Sequence, residues 1–386
     1  MHPSQTSFQR HPKRTLAACA LVVLAAFGAE ALRWKHAAPA PSALGMAASA
    51  ASGRASLTEI SNSLIPMPRN TPSAHASALA TVPGGMLAFW WAGSRESGPD
   101  VKVYAARSTN GSWGAPWEVA SRASLGRALG FGVRRIGNPV AWTAPGGEVH
   151  LYVVATGLGG WAASRVVHMV SKDAGVNFAV RRMLPLSPLF NTSVLVRTSP
   201  VALADGGWWL PVYFELGIKY PMLMAFDANG EPTRVGRIGT RMSTLQPAIV
   251  PISNTEVRAW MRDASDEQRV QHAYSRDGGA SWQDLPALDL TNHSTSLAAI
   301  RLSSGEILML HNHLVAGGSS RSILRLSISK DGHAWRTIDD IASGKAGDEF
   351  SYPTMHQVGN ELHVTYTHQR QAIAYRAYRI QTGESI

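Results

Sequence analysis

One pattern recurs six times along the chain, and a repeat of this kind restricts the fold more than any other feature. Each copy is an apolar stretch, a Gly or Asn turn and a second alternating apolar stretch. The copies are LATVPGGMLAFWW from Leu79, VAWTAPGGEVHLYVV from Val140, VALADGGWWLPVYF from Val201, IVPISNTEVRAWM from Ile249, AIRLSSGEILML from Ala299 and MHQVGNELHVTY from Met355. Alternation on both sides of a tight turn is the signature of a β-hairpin. Successive copies start about 50 to 60 residues apart, which leaves room for two more strands per unit, as in the four-stranded blade of a β-propeller. The expected fold is all-β, a six-bladed β-propeller of four-stranded antiparallel blades spanning residues 57–386.

Composition agrees. With 16% charged residues, 35 Gly and 12 Trp in 386 residues, the chain is unlike a coiled coil, a helical bundle or a disordered tail. The formal net charge of +10 suggests nucleic acid until it is divided: residues 1–56 hold six Lys and Arg against one acid, half of the excess. The remainder has no basic stripe to track phosphates, so no nucleic-acid partner is expected.

Residues 1–31 read as an export signal. Arg10, Lys13 and Arg14 precede the apolar run from Leu16 to Ala29, and Ala29-Glu30-Ala31 resembles a cleavage site. A periplasmic or secreted location follows; the alternative is an uncleaved anchor over residues 15–31 that tethers the protein to the inner membrane, although the run is shorter than the roughly 20 residues a spanning helix needs. Cys19 is the single cysteine and lies in this segment. The domain that follows therefore has no disulfide, thiolate metal site or cysteine nucleophile. Residues 32–56 are Ala-, Ser- and Pro-rich and read as a flexible tether.

Four units supply a second turn about thirty residues downstream of the hairpin: Ser108 to Trp113, Ser171 to Phe178, Ser275 to Trp282 and Ser329 to Trp335. The second and third fit S-x-D-x-G-x-x-aromatic in full. The Asp and Ser side chains bond the turn backbone, the Gly takes a positive φ and the aromatic packs under the blade. These carboxylates are structural. On these motifs, over about residues 57–382, the sequence resembles the sialidase superfamily and especially its BNR-repeat branch, whose Asp-box repeats have this form. In that fold the N-terminal strand completes the last blade, which makes Leu57 to Pro66 the candidate closing strand.

Topology sorts the polar residues. If the Gly turns and Asp boxes are the A-B and C-D hairpins of each blade, the opposite face carries the starts of A, the ends of B and the starts of C. That face collects His75, Asn138, Gln246, Thr295 and Tyr352 near A starts, Arg95, Glu96, Glu215, Arg262, Asn312, His313 and His368 near B ends, and Asp100 and Arg321 near C starts. A polar funnel of this kind suits an acidic or polyhydroxylated ligand.

The resemblance implies roles for some of them. Sialidases grip the substrate carboxylate with three arginines, use a tyrosine nucleophile activated by a glutamate, and protonate the leaving oxygen with an aspartate, departing from the two-carboxylate rule of most glycosidases. Arg262 matches the second arginine, Arg321 the third, and Tyr352 in Glu349-Phe350-Ser351-Tyr352-Pro353 the nucleophile. His75 stands in place of the first arginine and cannot offer its forked donor. Gln246 stands where the activating glutamate is expected and cannot accept a proton. Glu215 is the candidate replacement carboxylate, and Asp100 or Glu96 the candidate acid. Asn138 and His313 are added as ligand contacts.

His311 and His313 share a strand face and would bind zinc with His75 or Glu215, but no third ligand is fixed by spacing. No metal or cofactor is expected. The reading is an exported exo-glycosidase that removes terminal, acidic sugars from glycans. Two alternatives stand beside it: a glycan-binding propeller without chemistry, and a glycosidase or lyase for another uronate or deoxy sugar with His75 as the proton-transfer group.

Overall fold

A computed structural model describes residues 12–33, 42–45, 54–187, 191–315 and 318–383. Six antiparallel sheets stand in sequence order around an axis. From inside out, the first blade runs Ser73–Val82, Gly85–Gly93, Lys102–Thr109 and the short pieces Ser112–Trp113 and Trp117–Ala120. The second runs Arg135–Thr143, Val149–Thr156, Ser164–Ser171 and Ala179–Met183. In the third the inner strand is broken into Val194–Val196 and Val201–Ala202, followed by Trp208–Leu216, Ile218–Phe226 and Pro232–Arg237. The fourth comprises Thr244–Pro251, Val257–Asp263, Gln271–Ser275 and Gln283–Leu285; the fifth, Ala298–Arg301, Ile307–Asn312, Ile323–Ser329 and Arg336–Ser343. The sixth, Phe350–Val358, Glu361–His368 and Ala372–Gly383, takes its outer strand from Arg54–Leu64. The chain thus closes on itself and the sheet edges of an open array disappear. The closing strand starts at Arg54, three residues before the expected Leu57, and ends at Leu64.

The second strands explain the alternating runs. Val149–Thr156 is buried at every position, because a strand inside a blade packs against both neighbouring blades and has no solvent face. Trp90, Trp208, Trp209 and Trp260 are fully buried at this layer.

The Asp boxes of the second, fourth and fifth blades fasten each of these to the blade before it. Asp277 accepts from Ser275 Oγ at 2.8 Å and from the Ser281 backbone N–H at 2.9 Å, while Ser275 Oγ accepts from Gly279 N–H at 2.9 Å. Gly279 has φ 75°, and a Cβ there would meet the Trp209 ring of the preceding blade at 2.5 Å. Gly175 sits likewise on Leu87 and Gly332 on Trp260. The third blade has an equivalent turn that the sequence pattern did not reveal: Asp227 accepts from Asn229 and Glu231 N–H, and Gly230 abuts His150 and Trp208.

Among the described residues two α-helices lie outside the sheets, Pro12–Arg33 and the short Arg122–Leu129 between the first and second blades, with a single 3-10 turn at Gly160–Ala163. In the first, Leu16, Leu21, Val22, Leu24 and Phe27 are each more than half exposed. No described helix is long and apolar enough to cross a membrane. Arg10, and residues 34–41 and 46–53 of the stretch read as a tether, lie outside the described residues. Residues 42–45 are docked: Leu44 is buried, bridges Leu203, and is held by Leu44 N–H to Asn254 O and Gly45 N–H to Ala202 O, both 2.9 Å. This piece of the stretch is part of the fold because Leu44 completes an apolar cluster with Leu203 and Trp209.

Candidate active site

Four inner strands carry a two-against-one bulge at the same end. Ala76 and Ser77 oppose one partner residue, as do Gly137 and Asn138, Gln246 and Pro247, and Tyr352 and Pro353. A bulge breaks the alternation and re-aims a side chain. Ala76, Gln246 and Tyr352 sit in the left-handed region at φ 59°, 53° and 52°, which costs a residue with a Cβ about 1 to 3 kcal/mol and marks sites where the surroundings impose the geometry.

The re-aimed side chains meet at the axis around Tyr352. Arg262 Nη1 lies 3.3 Å from the Tyr352 hydroxyl, with Arg262 Nε on Ser294 Oγ at 3.1 Å. The guanidinium groups of Arg197 and Arg321 stand 5.1 and 5.5 Å from the Tyr352 ring centroid, and the His75 ring is 4.1 Å away. Gln246 Nε2 donates to Tyr213 Oη at 3.3 Å, and the same amide bonds Tyr352. Glu349 accepts from Arg321 at 2.7 Å, from Ser351 Oγ at 2.6 Å and from Arg370 at 3.4 Å, and Arg370 also pairs with Glu96. Depth divides the set. His75, Arg197, Tyr213 and Gln246 are each 2% exposed and form the floor, whereas Arg321, Arg370 and Glu96 form a half-open rim.

Four guanidinium groups facing two carboxylates make the site net positive. His75 feels this most: burial first, then Arg370, Arg321, Arg197 and Arg262 in turn, push its pKa well below the usual value, so it is neutral. Its Nδ1 has no hydrogen-bond partner, with Glu349 3.9 Å away. For Tyr352, burial alone would raise the phenol, but Arg262, Arg321, the bond from Gln246 and Arg197 outweigh it and the pKa falls. For Tyr213 burial outweighs the bond from Gln246 and the charge of Arg262, and its pKa rises. Arg321 is held protonated against its burial by Glu349. A cationic, partly desolvated pocket with an acidified phenol at its base can bind an anion and present a nucleophile beside it.

Comparison with known proteins identifies the architecture. The model of the BNR repeat-like domain matches residues 84–364. The chain belongs to this BNR repeat-like family. Among solved structures, the Hadza microbial sialidase Hz136 superposes with a TM-score of 0.66 at 15% identity, covering 80% of this chain and 66% of that one. A protein of unknown function from Dyadobacter fermentans gives 0.67 at 14% identity, with 84% and 99% covered. Trypanosoma rangeli sialidase in complex with sialic acid gives 0.60 at 15% identity, with 86% and 60% covered. The propeller therefore spans about two thirds or less of the length of these two sialidases. No curated protein matches the sequence.

Within this sialidase-like propeller, the structure brings together Tyr352, Arg262, Arg321, His75 and Gln246. Glu96 joins them through Arg370. Asp100 does not: it is exposed and accepts from Ser94 N–H and Oγ, both at 2.7 Å, closing its own loop. Glu215 bears electrostatically on Tyr213 and pairs across its hairpin with Lys219; it makes no contact with Tyr352 among the described interactions. Asn138 donates to Val196 O at 3.3 Å, beside Arg197. His313 feels Arg325 and Asp340 on the outer strands of the fifth blade and stands apart from the cluster. Among the described residues no group of three His, Cys, Asp or Glu gathers to hold a metal. The residues missed by sequence reasoning are Arg197, Glu349, Arg370 and Tyr213.

Proposed function

We propose that this face is the active site of a glycosidase that removes a terminal acidic sugar, of the kind that Trypanosoma rangeli sialidase holds in its sialic acid complex. The observation that carries the reading is the acidified Tyr352 phenol ringed by Arg262, Arg321 and Arg197. Arg262 and Arg321 take the ligand carboxylate. The Tyr352 phenol gives its proton to solvent and its oxygen forms a bond to the anomeric carbon as the glycosidic C–O bond breaks, while Glu96, in its protonated form and released from Arg370, gives a proton to the leaving oxygen. Water then attacks the same carbon, releases Tyr352 and returns a proton to Glu96. The test is product release from fluorogenic sialosides and other acidic glycosides by the full chain. Arg321→Ala and Tyr352→Phe should each lower turnover by about a hundredfold or more; wild-type rates in either folded variant refute the assignment.

A second reading rests on His75. A neutral imidazole tilted against a phenol, ring centroids 4.1 Å apart, and flanked by arginines forms with that phenol a base and acid pair suited to β-elimination from a uronate, with the arginines neutralising the carboxylate. It expects an unsaturated, ultraviolet-absorbing product lost in His75→Ala. Export through residues 1–31 is proposed on the basic-then-apolar pattern; fractionation that leaves the protein in the cytoplasm refutes it.

A further inference from the structure

Arg197 is a buried cation that pairs with no carboxylate among the described residues. It stands at the break in the inner strand of the third blade and is 2% exposed. Its hydrogen bonds go to neutral oxygens: Nη1 to Ser77 O and Thr354 Oγ1, both 3.3 Å, and Nη2 to Pro353 O at 2.8 Å. Its Nε has no partner. The titratable groups that bear on it are the phenols of Tyr352 and Tyr213. Removing a charge from water without an opposite charge nearby is costly, and burial lowers Arg197 to about 10, which still leaves it protonated at neutral pH.

The other cations near Tyr352 are differently engaged. Arg321 is neutralised by Glu349 at 2.7 Å, and Arg370 is shared between Glu349 and Glu96. Arg262 is only half-buried, so a ligand anion competes for it. His75 is neutral, and Gln246 and Tyr213 carry no charge. Glu349 is engaged by Arg321, Arg370 and Ser351 Oγ, and lies 3.9 Å from His75 Nδ1. Arg197 is the most deeply buried of these arginines, and its guanidinium lies 5.1 Å from the Tyr352 ring centroid. Its charge stays on the phenol throughout turnover.

We propose that Arg197 is a positioning residue that holds Tyr352 ready to ionise, a task for which the amide of Gln246 has no base to offer. The phenol proton leaves to solvent, and the buried cation stabilises the phenolate that remains. This rests on the reading of Tyr352 as the reacting group. A unit charge about 6 Å away at an effective dielectric of about 20 moves a phenol by about two pH units.

The experiment follows the ring Cζ resonances of 13C-tyrosine in the full chain against pH, with Tyr352→Phe assigning the signal. The wild-type Tyr352 signal should titrate below the ordinary tyrosine value of about 10. Arg197→Met should raise the transition by about one to two pH units, while Arg197→Lys, which keeps the charge, should stay within about half a unit. The proposal is overturned by a wild-type Tyr352 that titrates at or above about 10, by a folded Arg197→Met that titrates as wild type, or by a Lys variant that moves as far as Met. Should Arg197→Met fail to fold, the wild-type and Lys titrations decide. With an active substrate in hand, Arg197→Met should shift the acid limb of kcat upward and leave KM unchanged; a raised KM with unchanged kcat assigns Arg197 to ligand binding instead. The titration needs no substrate, so a protein that hydrolyses nothing would refute the glycosidase reading without touching this result.

Discussion

Lowering the pH should unfold this propeller well before its carboxylates are protonated. His150, His168, His272 and His311 are 0 to 1% exposed. Burial is the largest cause of depression in each, taking His150 and His311 down to about 4 and His272 to about 3. The bond to His272 requires a neutral ring. His272 Nε2 accepts from Arg258 at 3.1 Å, His311 bridges Asn312 O and Ser327 Oγ, and His150 and His168 share one proton across 2.8 Å. The folded-state values lie below the unfolded value of about 6.5, so the unfolded chain binds protons first. The stabilisation is present above about 6.5 and is lost as pH falls through the folded values. From pH 7 to 4.5 each site loses about 2 kcal/mol. Counting the His150–His168 pair once gives about 6 kcal/mol, comparable with the whole stability of an ordinary domain, about 5 to 15 kcal/mol. Urea unfolding followed by tryptophan fluorescence reads this directly, because Trp208 and Trp260 lie 4.6 and 5.4 Å from His150 and His272. The midpoint should fall steeply between pH 6.5 and 4.5, and less steeply in His272→Gln. Equal midpoints at pH 7 and 4.5 would refute the reasoning.

Three further substitutions test the fold. Asp277→Ala removes the acceptor of Ser275 Oγ and Ser281 N–H and should cost about 2 kcal/mol in urea unfolding; a change below about 0.5 kcal/mol would show that the box is decorative. Gly279→Ala forces a Cβ onto the Trp209 ring at φ 75° and should cost at least as much, with a changed near-ultraviolet circular dichroism signal as the readout. Leu44→Ala should cost about 2 to 3 kcal/mol, because Leu44 is buried against Leu203 and Trp209. An unchanged midpoint would mean that residues 42–45 do not dock in solution.

The blades were legible because each hairpin announces itself locally, through alternation and a Gly or Asn turn. The site was legible where the same phasing was carried through. His75, Gln246 and Tyr352 each precede the first residue of their repeat by three or four positions, and Arg197 stands four positions before Val201 in the third repeat. The same count applied to the third unit therefore reaches the buried arginine. Arg370 lies two residues past His368, in the turn that follows the second strand of the last blade, and a strand-end rule stops short of it. Glu349 belongs to the same short segment as Tyr352, yet nothing local distinguishes a carboxylate that will pair with Arg321 from one that will be solvated. Asp100 illustrates the converse: its position on the correct face suggested an acid, and only the Ser94 bonds reveal a loop clasp. Pairings across blades are invisible to a periodicity, because they depend on which strand ends meet at the axis.

The two mouths of the propeller differ for a reason rooted in chain geometry. On the hairpin face the connections between first and second strands span two to five residues, and such turns are committed to Gly, Asn and Pro by their backbone angles. The cavity of about 210 Å³ at that mouth is accordingly lined by residues such as Thr198, Ala248, Ile249, Ala298 and Pro353, with Arg301 its one charged lining residue among those described. On the opposite face the connections from one blade to the next span six to fourteen residues. Longer loops are free to carry charge, and the inner-strand bulges beneath them turn Tyr352 and Gln246 into the same space. The asymmetry explains why all four arginines meet at one mouth. Only there can side chains from six blades be varied without altering a turn that the fold requires.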